Sequence, residues 1–101
     1  MRDLKAKDLA PFIKILAAME LREALKGMFS EDRSRGAMIA ELIAAVLENY
    51  EKADQALIAF IAELNGATPE ETADLPMGDF IGAIQELFSE KNLPFFKSAV
   101  S

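Results

Sequence analysis

The chain has 101 residues, 51% hydrophobic and 28% charged, which is enough to bury a core without metal or disulfide staples. It has no histidine and no cysteine, which removes the usual zinc ligands, the Ser-His and Cys-His nucleophile pairs, and any disulfide. The net charge of −6 sits in the second half, where residues 51–101 carry three basic and nine acidic side chains, so phosphate is repelled and nucleic acid disfavoured as a partner.

Residues 1–8 read as an irregular, charged lead-in without the apolar core and cleavage site of a signal peptide. Asp8 is the expected N-cap of a first helix, with Pro11 in the first turn, where its missing amide costs little. Leu9, Phe12, Ile13, Leu16 and Ala17 share one face of that helix. A second apolar run, Leu21, Ala24, Leu25, Met28 and Phe29, follows either across a bend at residues 18–20 or as the continuation of one helix. Residues 30–36 are expected to form a polar loop that ends in Gly36. A third helix, from Ala37 to about Tyr50, sets Met38, Ile39, Leu42, Ile43, Val46, Leu47 and Tyr50 along an unusually wide stripe. That width suits a helix buried on two sides, the second by a partner or another subunit. A fourth helix, about Glu51 to Leu64, carries Ala53, Ala56, Leu57, Phe60, Ile61 and Leu64.

Residues 66–88 hold the clearest local signals. Gly66 suits a left-handed helix cap, and Thr68-Pro-Glu-Glu71 reads as a capping box with proline in the first turn. Leu75-Pro76 breaks that short helix, because a residue before proline is pushed out of the helical region. Met77, Phe80, Ile81, Ile84, Leu87 and Phe88 then form one amphipathic stripe, interrupted only by Gly82, which suggests a close helix–helix approach. Residues 94–101 form a short C-terminal helix or tail carrying Phe95 and Phe96. No apolar–polar alternation marks a strand, and no run nears the roughly 18 apolar residues of a membrane span. The expectation is an all-α single domain over residues 1–101, a compact bundle of five to six short helices.

Few residues suggest chemistry. Glu70, Glu71 and Asp74 cluster, yet acids in the first turn of a helix are explained by the helix dipole. No segment has the spacing of a calcium loop, and Met77-Gly-Asp-Phe-Ile-Gly82 lacks the lysine of a phosphate loop. No catalytic residue, metal or cofactor is expected. Lys5, Lys7, Lys14, Arg22, Lys26, Arg33 and Arg35 are interleaved with acids and read as a solvated face. Phe95 and Phe96 point about 100° apart on a helix, so either both pack where the tail crosses the bundle or one is an exposed anchor. The expected partner-binding residues are Ile39, Ile43, Val46 and Tyr50 on the third helix, with Phe95 and Phe96.

Several stretches together resemble the tail assembly chaperones of long-tailed bacteriophages and prophages of Gram-positive bacteria. They are Leu4-Lys-Ala-Lys-Asp8 before Pro11-Phe-Ile-Lys-Ile-Leu16, then Leu64-Asn-Gly66 before Thr68-Pro-Glu-Glu71. Leu75-Pro76, Asp79-Phe-Ile81, Leu87-Phe88 and the closing Phe95-Phe96-Lys-Ser98 complete the set. The resemblance spans nearly the whole chain and rests on capping and core patterns. It implies a helical, non-enzymatic, cytoplasmic protein of the host cell that keeps the apolar tape measure protein soluble and helps recruit tail tube protein. Such a protein is absent from the finished virion and often has a longer frameshifted form; apart from the resemblance, the wide stripe of the third helix allows a homo-oligomer. The rival readings are an acidic helical adaptor or regulatory protein with one defined partner, such as an antitoxin, and a small carboxylate enzyme.

Overall fold

Chemistry at the helix ends sets the element order. The computed structural model describes residues 1–30 and 34–100, and these form seven α-helices and no strand. They are α1 (Leu9–Met19), α2 (Arg22–Ser30), α3 (Arg35–Glu48), α4 (Asp54–Asn65), α5 (Pro69–Ala73), α6 (Met77–Leu87) and α7 (Leu93–Val100). Single 3-10 turns at Ala6–Asp8, Tyr50–Lys52 and Glu90–Asn92 join some of them. The all-α expectation holds. The count exceeds six because the bend after α1 is a full break and five-residue α5 stands by itself.

Glu20 makes that first break, adopting a left-handed conformation (φ 60°) as its N–H bonds back to the carbonyls at the end of α1. Gly66 caps α4 at φ 67°, a conformation glycine enters without a Cβ clash. At α5 the capping box closes in both directions. The Glu71 N–H donates to Thr68 Oγ1 at 3.1 Å, and the Thr68 N–H donates to Glu71 Oε1 at 3.0 Å. The Thr68 N–H, with a further contribution from the Thr68 hydroxyl, holds the Glu71 carboxyl below the ordinary range. Pro76 then occupies the N-cap of α6.

Three boundaries differ from expectation. Ser34 caps α3, its hydroxyl accepting from the Ala37 N–H at 3.2 Å, so Gly36 lies inside the first turn instead of ending a loop. The centre of the expected polar loop, residues 31–33, lies outside the described residues. Tyr50 falls in a 3-10 turn, because α3 ends at Glu48 with the Asn49 side-chain amide donating to the Ala45 carbonyl. Asp8 does not cap α1. Its buried carboxylate accepts from both nitrogens of the Arg2 guanidinium at 2.8 Å and from the Lys5 N–H. The lead-in is therefore fastened, and the Arg2 N–H adds a bond to the Leu64 carbonyl at the end of α4.

The core gathers around α1, which touches α2, α4 and α7. Phe12 is fully buried, and its ring meets those of Phe60, Phe88, Phe95 and Phe96 at centroid distances of 5.1–6.3 Å. Gly82 marks no close approach, since an added Cβ would meet nothing within 4 Å and the position is exposed. The Gly82→Ala variant is expected to gain about 0.5–1 kcal/mol in chemical denaturation, from helix propensity alone. A loss would reveal a contact at that face.

The Arg2 hydrogen bond, joined by that of the Lys5 N–H, holds the Asp8 carboxyl below its usual range against the opposing effect of burial. A depressed carboxyl stabilises the fold above its unfolded pKa of about 4 and loses that contribution as pH falls through the folded value. Asp8→Asn should cost about 1–3 kcal/mol at neutral pH, with the gap to wild type narrowing below roughly pH 4. Urea denaturation across pH measures it. A gap independent of pH would mean that the charge of Asp8 contributes nothing.

Candidate interaction surface

The stripe on α3 is wider than its neighbours can cover. Of its 14 residues only Leu42 and Val46 are buried. Ile39 and Ile43 are half-buried on one flank, and Leu47, one turn further along that flank, is 42% exposed. Tyr50 continues the line in the 3-10 turn, half-buried.

The proline break before α6 brings a second apolar edge to the same place. Met77, the first residue of α6, is 72% exposed, while Phe80 and Ile81 are half-buried one turn on. The Phe80 ring meets Tyr50 edge-on at 6.1 Å, joining the two elements. Leu47, Tyr50, Met77, Phe80 and Ile81 line a shallow cleft of about 200 Å³. A smaller recess of about 110 Å³ shares Tyr50, Met77 and Phe80 and extends to Ile58 and Leu75. Among the described residues, the exposed large apolar side chains are Leu47, Leu75 and Met77, and all three lie on this one surface. Scattered exposed apolar residues are ordinary, but a gathered set marks an interaction site.

Its electrostatic setting is one-sided. Between Gly36 and Glu90 the sequence carries eleven acidic side chains and one basic, Lys52. Lys52 faces away, paired with Glu20 at 3.2 Å. Exposed Glu48, Glu51 and Asp74 adjoin Leu47, Tyr50 and Leu75 in the chain. Burial raises the pKa of the Tyr50 hydroxyl, and the charge of Asp54 raises it further.

Ile39, Ile43 and Leu47 thus follow one another along one flank of α3, half-buried Ile39 and Ile43 packing against the core, while Tyr50 lies with Leu47, Leu75, Met77 and Phe80 at the two recesses. Val46 is 2% exposed and Phe96 is fully buried, so neither presents a surface to a partner. Phe95 is half-buried with its ring against Phe12. The pair packs where the tail crosses the bundle, and the reading of Phe96 as an exposed anchor falls. Leu47 and Met77 were visible in the helical stripes, but nothing local said which stripe residues the core would leave uncovered.

A larger cleft, about 720 Å³, separates the end of α2 and the start of α3 from α7. Its lining mixes Phe29, Met38 and Leu93 with Lys91, Lys97 and the Arg35–Glu90 ion pair. Glu70, Glu71 and Asp74 are all exposed. Among the described residues no group of three or more acidic side chains is placed to hold a metal, and no helix is long and apolar enough to cross a membrane. Comparison with known protein families, with curated proteins and with solved structures gives no match.

Replacing Leu47 and Met77 together by serine should cost no more than about 1–2 kcal/mol, because Leu47 is 42% and Met77 72% exposed. Phe96→Ser should cost about 3 kcal/mol or more. Parallel urea titrations decide the matter, and a strongly destabilised Leu47→Ser/Met77→Ser variant would place those residues in the core.

Proposed function

We propose that this chain is a non-enzymatic tail assembly chaperone of the long-tailed phage type, which shields apolar helical segments of the tape measure protein in the cytoplasm of the host cell. The carrying observation is that Leu47, Leu75 and Met77, the exposed large apolar side chains, share one surface with Tyr50 and Phe80. A holdase needs such a surface to cover apolar helices and an acidic remainder to keep the complex soluble. The sequence resemblance supplies the class of partner; recruitment of tail tube protein and self-association belong to the same reading. A second reading, an acidic adaptor for one defined partner, draws on the confinement of the cleft to about 200 Å³.

Co-expression with the tape measure protein of a long-tailed phage of Gram-positive bacteria tests the proposal. The wild-type chain should raise the soluble fraction of that protein several-fold, and Leu47→Ser/Met77→Ser should not. If neither chain changes its solubility while both are folded, the chaperone reading is wrong and the adaptor reading takes its place.

A further inference from the structure

Under the proposed function the α3–α6 surface is a docking site, and its chemistry restricts what can dock. We infer that its occupant is an amphipathic helix whose apolar stripe is flanked by lysine or arginine. The inference rests on that docking role and adds the shape and charge of the bound segment.

Shape comes first. The cleft lies between two helical edges, Leu47–Tyr50 on one side and Met77–Ile81 on the other, and its floor is apolar. No strand among the described residues offers an edge to pair with, so an incoming segment must satisfy its own backbone, as a helix does. Alongside Met77 and Ile81, α6 presents Gly78 and Gly82, both exposed and with open space around them. They give a helix lying on this edge a thin backbone to approach. Neither glycine is needed for contacts inside the chain.

Charge comes second. The run from Gly36 to Glu90 holds a single basic side chain, and that one is already paired with Glu20. Around the cleft Glu48, Glu51 and Asp74 are exposed, and Asp54 acts on Tyr50 at its wall. A helix with glutamate or aspartate beside its apolar stripe would meet like charge at Glu48, Glu51 and Asp74. One with lysine or arginine would find opposite charge, and such complementarity governs which partners are admitted.

Two designed peptides of about 18 residues, each long enough for five helical turns, test this. They share one leucine stripe and differ only in having lysine or glutamate beside it. Fluorescence anisotropy against the full chain should show the lysine peptide binding at least about tenfold more tightly. The ratio should shrink as salt rises from roughly 0.05 to 0.5 M. Leu47→Ser/Met77→Ser, which changes no charge, should abolish binding of the lysine peptide. Glu48→Gln/Asp74→Asn should weaken that peptide and leave the glutamate peptide no weaker. Equal affinity for the two peptides overturns the inference. So does lysine-peptide binding that survives Leu47→Ser/Met77→Ser, since attraction to the acidic surface would then act without the cleft. A chain that solubilises its long partner but does not discriminate the peptides keeps the proposed function and loses this inference. A chain that discriminates them but solubilises nothing keeps the basic-flanked helix and loses the chaperone role.

Discussion

The structure depends on the ring of Phe12. It lies fully buried on α1 and touches Phe60 of α4, Phe88 just after α6, and Phe95 and Phe96 of α7. Five of the seven phenylalanines therefore meet in one cluster, fastening parts of the chain more than 80 residues apart. Burying a large apolar side chain contributes about 1.5–3 kcal/mol, and each aromatic pair adds about 0.5–1.5 kcal/mol. For a domain whose net stability is about 5–15 kcal/mol, this cluster is a large share of what holds the ends together. It also settles the C-terminal helix, whose aromatic pair turns inward because the cluster needs it there.

What the cluster takes in decides what is left out. With α1, α4 and α7 sharing the aromatic centre, α3 and the first turn of α6 are held at the margin: α3 buries only Leu42 and Val46, and the buried residues of α6, Ile84 and Leu87, lie beyond its first turn. A helix that buries so little gains little from tertiary contact, and its apolar flank stays in water. In an uncharged chain this would favour aggregation. Here the net charge of −6 opposes that tendency.

Signals confined to a few neighbouring residues were legible in the sequence. Gly66, the Thr68–Glu71 box and the Leu75-Pro76 break each act within four residues, and each appears where it was read. The all-α class follows from periodicity in the same way. Less legible was anything decided by a distant partner. Asp8 looked like a helix cap because nothing local shows that Arg2 will fold back onto it. Glu20 gave no sign of its left-handed conformation, since the residue type does not favour it. The Phe95–Phe96 pair was ambiguous until Phe12 was seen to receive both rings.

The apolar surface between α3 and α6 shows the same limit most sharply. Its two edges, Leu47–Tyr50 and Met77–Ile81, lie about thirty residues apart in sequence. Each was readable as an apolar stripe, but stripe residues become surface only when the core has no room for them. Gly82 gives the physical reason for treating this edge of α6 as an outer face. A mid-helix glycine costs about 1 kcal/mol relative to alanine, and no side chain or backbone of this chain occupies the space that the missing methyl leaves. The close approach that the sequence suggested between two helices of the bundle is therefore absent among the described residues, and Gly82 lies on an exposed face of α6.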